Sequence, residues 1–405
     1  MAKKINVDQL RIGMFVEALD RPWRETPFLL EGVAINEPSD IEALTRLCRY
    51  VYITADEQET HACNAAQLTK LGHSGLQGDV ARARPPFAVE EVEEARNLRR
   101  RARVAVDTMQ EDAAKQQIID AEGAKILVDD MAASIMDNPD ALLWLTQLKK
   151  KDEYTANHSV NVSILAMVFG HHLGVSGSPL RELGLGALMH DIGKLRVPLA
   201  ILNKPGQLDQ RESQEMRKHP VYGLQILHAT KVLPRAVTVV AYAHHERYSG
   251  GGYPRGLALN EDKDFYSQIV TIVDIYDALT SDRPYKSAMP LSQALKLMQQ
   301  WRGQNFHPQL IDRFVECLGL FPSGSLVEMN TGEVGLIVPS RRGKQGQPII
   351  MLILDQNKKK YYPLKIVDFK LFEQSASPYR IKAVLAPGAY GIEPIEYTDE
   401  IVSIK

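Results

Sequence analysis

The chain has 405 residues, of which 44% are hydrophobic and 24% are charged, so it can bury more than one hydrophobic core. Its formal charge of −2 gives no electrostatic reason to expect nucleic acid or an anionic membrane surface as a partner. The three cysteines are too widely spaced for a CxxC metal site or a disulfide framework. Since no secretory signal or apolar run of about 18 residues occurs, we expect a cytoplasmic protein without a membrane span.

Residues 1–72 are predicted to form a small α+β module. The segments LRIGMFVEAL and YVYI have the composition of strands, whereas SDIEALTRL opens with a capping serine and an acidic first turn. No acidic cluster follows a strand here, so the module lacks the pattern of a phospho-acceptor receiver domain. Residues 73–86 are rich in glycine, proline and small side chains and are interpreted as a linker.

Residues 87–139 are predicted to form a helical connector with one apolar stripe. The stripe consists of Ala95, Leu98, Ala102, Ala105 and Met109. Its spacing is typical of a helix that packs against the next domain or of a short coiled coil between two copies of the chain. Because the pattern lapses soon after Met109, we favour packing and leave a homodimer open.

The connector also contains a basic run. Its members are Arg99, Arg100, Arg101 and Arg103. Such a run can form a nucleic-acid patch, but glutamates precede it closely in the chain. Mixed charge of this kind favours a solvated helix face.

Histidine and aspartate residues recur along the otherwise apolar stretch 140–321, whose pattern is that of helices. We predict this stretch to be the catalytic domain. They are His158, His190, Asp191, His219, His244, His245 and Asp274. A lone histidine is more often a packed or surface residue than a ligand, but eight of the eleven histidines lie between residues 158 and 245. Imidazole and carboxylate suit first-row divalent ions, and one aspartate can bridge two of them. The clustering indicates a two-metal hydrolase.

The remaining histidines fit the site less well. His171, His172 and His228 have the sequence context of helix ends or surfaces, and the other three lack a ligand-like neighbour; those three are His61, His73 and His307. Lys194 follows Asp191 by three residues, so its charge can reach a phosphate oxygen at the same site. Two metal ions, together with Lys194 and with Arg283 further along the chain, indicate hydrolysis of an anionic phosphodiester or phosphomonoester.

Residues 322–405 change to a pattern of period two and are predicted to form a small β-rich module. Asn330, Thr331 and Gly332 lie between two strand-like segments and predict a hairpin turn. The segments IIMLILD and YYPLKIVDF follow as further strands, and the lysines at 358–360 are expected in a loop.

Five motifs follow one another within 140–321. They are His190-Asp191-Ile192-Gly193-Lys194, His219-Pro220, His244-His245-Glu246, Gly252-Tyr253-Pro254, and the segment that runs from Asp274 and Asp277 to Arg283 and Lys286. Together they closely resemble the HD-GYP family of bacterial cyclic di-GMP phosphodiesterases. The resemblance implies a multidomain, mainly α protein in which an HD-type all-α bundle lies between the two smaller modules. The N-terminal module is similar to one often fused to HD-GYP domains, and its function is unknown to us.

The resemblance also implies the site. Two divalent ions, iron or manganese, are expected, with Asp191 bridging them and a bridging hydroxide as the nucleophile. The expected ligands are His158, His190, Asp191 and Asp274 for one ion, and Asp191, His219, His244 and His245 for the other. Asp191 and Lys194 are the implied catalytic residues, and Lys194, Arg283 and Lys286 the implied phosphate contacts. The loop of Gly252, Tyr253 and Pro254 is the implied contact for diguanylate cyclase-type partners.

The implied reaction opens cyclic di-GMP to the linear dinucleotide pGpG, with further hydrolysis to GMP left open. Two departures bear on this expectation. Position 154 is Tyr rather than the Glu of members with a third metal, which favours two ions, and Ser249 and Tyr248 replace the usual Asp and Trp beside the GYP motif. The alternative is a catalytically weak cyclic di-GMP sensor or scaffold that acts through protein contacts. The complete ligand set and Lys194 favour the enzyme.

Overall fold

The structure is a computed structural model, and its description covers most of the chain. The described residues are 2–11, 14–20, 33–35, 38–54, 89–114, 121–148, 154–204, 206, 208–230, 233–259, 264–282, 288–339, 348–369 and 379–402. The chain divides into two compact units, 1–78 and 79–405. The predicted subdivision of the larger unit into connector, catalytic domain and β-rich module remains a prediction.

The smaller unit is the predicted α+β module. Its strands form an antiparallel sheet in the order β1-β4-β2-β3. The elements are β1 (Ala2–Asn6), β2 (Phe15–Leu19), β3 (Val33–Ala34), α1 (Pro38–Leu47) and β4 (Tyr50–Thr54). Leu44 from α1 is fully buried with Val16 and Val51 from the sheet. The helix therefore covers one face of the sheet, and the two together form the hydrophobic core of this unit.

Helices make up most of the described part of the larger unit. They are α2 (Val89–Ala114), α3 (Ala121–Asp137), α4 (Pro139–Gln147), α5 (Tyr154–His172), α6 (Ser178–Leu188), α7 (Leu199–Leu202), α8 (Gln210–Met216), α9 (His219–Ala229), α10 (Arg235–Ala243), α11 (Phe265–Leu279), α12 (Leu291–Gln300), α13 (Pro308–Leu318) and α14 (Thr398–Val402). Helix α5 is buried along most of its length, and its buried positions include polar residues such as His158 and Asn161 beside the apolar ones. Within the described ranges, none of the helices has the length and hydropathy needed to cross a bilayer.

The apolar stripe of α2 faces the chain's own helix bundle. Ala95, Leu98, Ala102 and Met109 are buried in one cluster with side chains of α3, α4 and α5. Packing within the chain is thus confirmed over an intermolecular coiled coil for this stripe. Burial of the stripe also fixes which side of α2 faces α5.

The basic run of α2 only partly matches the predicted solvated face. Arg100 and Arg101 are exposed, as expected, and Arg101 pairs with Asp130 at 2.6 Å. The expectation is wrong for Arg99, which is half-buried and donates hydrogen bonds to Leu145 and Asn161. Arg99 lies beside the buried stripe, so its guanidinium reaches hydrogen-bond acceptors on α4 and α5.

The C-terminal residues form a five-stranded antiparallel sheet in the order β8-β7-β6-β5-β9. The strands are β5 (Leu326–Met329), β6 (Val334–Val338), β7 (Ile349–Leu354), β8 (Lys360–Asp368) and β9 (Ile381–Val384). Alternate side chains enter different clusters: Leu326 joins the main core, whereas Val327 packs on the opposite face. The predicted hairpin at Asn330-Thr331-Gly332 is confirmed, because β5 pairs with β6 and Gly332 has φ +90°.

Candidate metal centre

Helix ends converge on one buried site in the larger unit. His158 lies in the first turns of α5, His190 and Asp191 follow the end of α6, and His219 begins α9. His244 and His245 follow α10, and Asp274 lies in α11. Helix termini leave main-chain groups available for hydrogen bonding, so side chains there can be fixed without interrupting a helix.

The structure brings all the sequence-predicted ligands together in two adjoining groups. One, here called the His158 group, contains His158, His190 and Asp274; the other, called the His219 group, contains Asp191, His219, His244 and His245. Within each group the candidate ligand atoms lie within 4.8 Å of one another. These groups match the two ligand sets that the family resemblance implies, with Asp191 as the shared member.

Asp191 directs one carboxylate oxygen toward each group. Its Oδ1 lies 3.3 Å from His219 Nε2 and 3.7 Å from His244 Nε2. Its Oδ2 lies 3.3 Å from His190 Nε2 and 3.7 Å from His158 Nε2. A carboxylate placed in this way can bridge two ions about 3.5 to 4 Å apart.

Three imidazoles are oriented by main-chain carbonyls of the preceding turn. Each uses Nδ1 to donate a hydrogen bond to a carbonyl three or four residues earlier, which leaves Nε2 directed into the site. The acceptors are Ala187 O for His190 at 2.7 Å, Met216 O for His219 at 2.8 Å, and Val240 O and Ala241 O for His244 at 3.2 and 3.1 Å. Fixing one ring nitrogen in this way selects the tautomer that a metal ligand needs.

His158 is oriented by a carboxylate instead. Its Nδ1 lies 2.7 Å from Oδ2 of Asp277, a fully buried residue, and its Nε2 lies 3.1 Å from Asp274 Oδ1. Asn161, one turn further along α5, donates from Nδ2 to Asp277 Oδ1 at 3.2 Å. Asp277 and Asn161 therefore form an outer layer around this ligand.

Burial and charge give His158 and His219 different proton affinities. Burial opposes the charged form of His158, but hydrogen bonds to Asp274 and Asp277 outweigh it and raise the pKa of His158 to about 9. Burial lowers the pKa of His219 to about 3, since the attraction of Asp191 does not compensate for it. The pKa of Asp191 stays well below its usual value despite burial, because Lys194 and His190 stabilise the anion. The neutral His219 has the lone pair that metal coordination requires.

The site fits divalent cations on the chemistry of its donors. His190 Nε2 and Asp191 Oδ1 are buried and have no hydrogen-bond partner among the described residues. The Nε2 atoms of His219 and His244 also face each other at 3.4 Å. Buried polar atoms are rarely left unpaired, so inward-facing atoms of this kind indicate a cation that they would coordinate.

The GYP loop covers the His219 group. The Tyr253 ring stacks on His245 with ring centroids 4.5 Å apart, and the Arg217 guanidinium lies 5.4 Å from the centroid of the same ring. At Gly252 a Cβ would lie 2.4 Å from His245 O and 2.6 Å from Glu246 Cα, so only glycine permits this approach. The loop is thus part of the wall of the site, and its expected contact with partner proteins remains a prediction.

Lys194 lies at the partly exposed side of the site, where Nζ donates to Asp191 Oδ2 over 2.5 Å. Gly193 allows the segment between them to pack tightly, because a Cβ there would overlap His219 O. Arg283 and Lys286, the expected phosphate contacts, lie outside the described residues. Ser249 is in the GYP loop, and its main-chain N–H donates to Gln304 O at 2.9 Å.

Comparisons with known proteins agree with this geometry. A family model described as an HD domain matches residues 135–310, and a domain of unknown function (DUF3391) matches residues 2–124. A cyclic di-GMP phosphodiesterase of Pseudomonas aeruginosa is 36% identical over 374 residues, which cover 91% of this chain and 89% of the relative. The chain belongs to the HD-GYP family of cyclic di-GMP phosphodiesterases. It is therefore a metal-dependent phosphodiesterase by family, with divalent metal as its cofactor.

Other HD-GYP relatives differ in the substrate for which they are named. The 3′3′-cGAMP-specific phosphodiesterase 3 of Vibrio cholerae is 38% identical over 173 residues, 42% of this chain and 37% of that relative. A cyclic di-GMP phosphodiesterase response regulator of Xanthomonas campestris is 35% identical over 173 residues, 42% of this chain and 46% of that relative. Sequence identity to the HD-GYP domain alone does not separate the two substrates.

Sequence reasoning missed the residues around the ligands. The sequence shows Asp277 only as part of a motif, gives no role for Asn161, and wrongly predicts that Arg99 is solvated. A partial signal was available, because Asp274 and Asp277 are three residues apart, as are His158 and Asn161, and such pairs share a helix face. No pattern in the sequence could show that these two faces meet.

Proposed function

We propose that this chain hydrolyses cyclic di-GMP to the linear dinucleotide pGpG. Family membership supports phosphodiester hydrolysis, and the printed name of the Pseudomonas aeruginosa relative, which aligns with nearly the whole chain, supports the substrate. The observation that carries the proposal is the division of the Asp191 oxygens between two imidazole groups. A single-ion site would not need it.

We further propose the ligand sets that the two groups suggest. His158, His190, Asp191 and Asp274 would hold one ion, and Asp191, His219, His244 and His245 the other. Iron or manganese fits this mixture of nitrogen and oxygen donors. When bound, two such ions supply a water that is deprotonated near neutral pH and neutralise charge on the phosphoryl oxygens.

The remaining roles belong to side chains around the ions. Lys194, beside Asp191 and partly exposed, would stabilise negative charge on a phosphoryl oxygen. Arg283 and Lys286 would contact the phosphates, a role supported by their motif alone. The half-buried Tyr253 ring would restrict water access on the His219 side, while its loop would contact diguanylate cyclase-type partners.

Product analysis tests the proposal. The full chain, purified without oxygen and supplied with Fe²⁺ or Mn²⁺, is incubated separately with cyclic di-GMP and 3′3′-cGAMP, and the products are separated by chromatography. We expect pGpG from cyclic di-GMP and little further conversion to GMP, since position 154 is Tyr. Preferential cleavage of 3′3′-cGAMP would change the substrate but keep the reaction.

A negative result is also informative. Failure to cleave either dinucleotide, with two ions bound per chain, would contradict the enzymatic proposal. Binding of cyclic di-GMP without turnover, measured by calorimetry on the same sample, would identify the chain as a sensor. Asp129→Asn is a suitable control variant, because it removes only an exposed ion pair with Arg181 in the same bundle.

A further inference from the structure

We propose that Arg99, on helix α2, is a positioning residue for the metal ligand His158. The inference rests on the metal-binding role proposed above for His158. It makes α2, which precedes the residues matched by the HD-domain model, a structural component of the metal centre. Arg99 instead falls within the part matched by the domain of unknown function, 2–124.

A continuous chain of hydrogen bonds joins Arg99 to His158. Arg99 Nη2 donates to Asn161 Oδ1 at 3.3 Å, and Asn161 Nδ2 donates to Asp277 Oδ1 at 3.2 Å. The other oxygen of Asp277 lies 2.7 Å from His158 Nδ1. We call the four side chains Arg99, Asn161, Asp277 and His158 the relay.

The hydrogen bonds of the relay can run in only one direction, because its two ends fix which groups donate and which accept. A guanidinium can only donate and an ionised carboxylate can only accept, so the Asn161 amide must present Oδ1 to Arg99 and Nδ2 to Asp277. Reversing that amide would break both bonds. Arg99 therefore determines the amide orientation, which fixes Asp277 and, through it, the imidazole of His158.

Burial increases the importance of the relay. Asn161 is 4% exposed and Asp277 is 0% exposed, so neither has water as a substitute partner. A buried carboxylate is costly unless it is hydrogen-bonded and its charge is compensated. Arg99 is the cationic end of the relay on the side away from the metal ligands, and Asn161 is the side chain that links it to the buried carboxylate.

Arg99 also has an ordinary structural contact. Its Nη1 donates to Leu145 O at 2.7 Å, among the last carbonyls of α4, which is a typical way to satisfy a helix C-terminus. A test must therefore distinguish the effect of losing the hydrogen bond to Leu145 O at the end of α4 from the effect of interrupting the relay. Arg101 offers a matched control on the same helix, because it is exposed and pairs with Asp130 at 2.6 Å, outside the relay.

The test is a double-mutant cycle on metal affinity, measured with Mn²⁺ alone in the substrate-free full chain. The variants are Arg99→Met, Asn161→Ala, the double variant and Arg101→Met. We expect each relay variant to weaken one of the two Mn²⁺ sites about tenfold, the low end for outer-layer partners of a ligand. The double variant should be no weaker than either single variant, because both changes interrupt the same relay.

Two results would overturn the inference: multiplicative losses in the double variant, or an Arg101→Met effect equal to that of Arg99→Met. Either would mean that Arg99 acts through the α4 cap or through general stability. If wild-type protein binds fewer than two ions, the proposed function fails first, so the two failures are distinguishable.

A second readout does not require metal. In metal-free protein with ¹⁵N-labelled histidine, Asp277→Asn assigns the His158 Nδ1 resonance by shifting it. Arg99→Met should shift the same resonance and Arg101→Met should not; an unmoved resonance in Arg99→Met contradicts the relay. Arg99→Gln, which retains a donor on a shorter side chain, replaces Arg99→Met if that variant does not fold.

Discussion

The two halves of the metal centre differ in how one ligand is oriented, because His190 has a main-chain anchor, as His219 and His244 do, whereas His158 is oriented by the carboxylate of Asp277. In the His219 group, His219 and His244 donate to carbonyls of their own preceding turns. In the His158 group, His158 depends on Asp277, which lies 119 positions away in the sequence. The first arrangement follows from local helix geometry, whereas the second requires α5 and α11 to pack correctly.

This difference has a functional consequence. A carbonyl of the same turn moves with its histidine, so the His219 group should tolerate small shifts between helices. The His158 group should tolerate such shifts less well, because the carboxylate that orients His158 lies on a different helix. We expect changes at a distance from the site to affect the His158 group first, and five predictions test the comparison between the two halves.

The largest effect is expected from Asp191→Asn. This substitution removes the carboxylate that both halves share, so both halves should be affected equally. The amide retains the shape but loses the charge that both groups face, so metal content should fall at both sites and turnover by more than about 100-fold. Metal analysis and product chromatography measure this, with Asp129→Asn as the control. Two retained ions with normal activity would exclude Asp191 as the bridge.

Asp277→Asn should affect one half alone. Loss of the carboxylate weakens the orientation of His158, and we expect a 10- to 100-fold lower Mn²⁺ affinity at one site with the other unchanged. Thr271→Val is the counterpart in the other half, since Thr271 Oγ1 donates to His244 O at 2.7 Å. It removes one neutral hydrogen bond and should cost only about 1 kcal/mol of stability. Equal losses at both sites in Asp277→Asn would contradict the division into halves.

The halves should also differ in pH dependence. A cation must displace a proton from His158, whose pKa is about 9, so affinity at that site should rise up to about tenfold per pH unit between pH 6.5 and about 9. The His219 site, with a pKa of about 3, should be insensitive in the same range. Mn²⁺ titrations at several pH values measure both slopes, and identical slopes would contradict the assignment.

The same pKa values determine the direction in which the free energy of unfolding of the metal-free protein changes with pH. The raised pKa of His158 contributes on the order of 3 kcal/mol below pH 6.5, and this contribution is lost as pH rises through about 9. The lowered pKa of His219 acts oppositely, because below pH 6.5 the unfolded chain binds a proton that the folded chain does not. Urea unfolding after chelation should show both trends.

The smallest effect is expected from Tyr253→Leu, which tests the cover over the His219 group. Loss of stacking on His245 is worth about 0.5 to 1.5 kcal/mol, so Mn²⁺ affinity should fall roughly two- to tenfold at one site. Tyr248→Leu is the control in the same loop, because its ring contacts His307 rather than a proposed ligand. If Tyr253→Leu lowered Mn²⁺ affinity only at the site that Asp277→Asn also weakens, Tyr253 would belong to the His158 group, which contradicts the prediction.

Much of the site was predictable because ligand chemistry is carried by residue type and order. Histidine and aspartate at helix ends indicated metal, and the predicted ligands all lie in the two groups. The α+β character of the N-terminal unit, helix α2 and the hairpin at Gly332 also followed from local pattern. Arg99 was predicted to be solvated, but the structure shows it half-buried. The prediction failed because helix periodicity does not reveal which neighbouring helices lie beside a given position.

The sequence by itself determined the metal-binding chemistry and the main-chain anchors of His190, His219 and His244, since a histidine and a carbonyl three residues earlier are held together by one turn of backbone. Only the tertiary structure decided that Asp191 faces both groups and that Asp277, Asn161 and Arg99 stand behind His158. Those contacts join residues on different helices, and their distances depend on how the helices pack rather than on any local spacing.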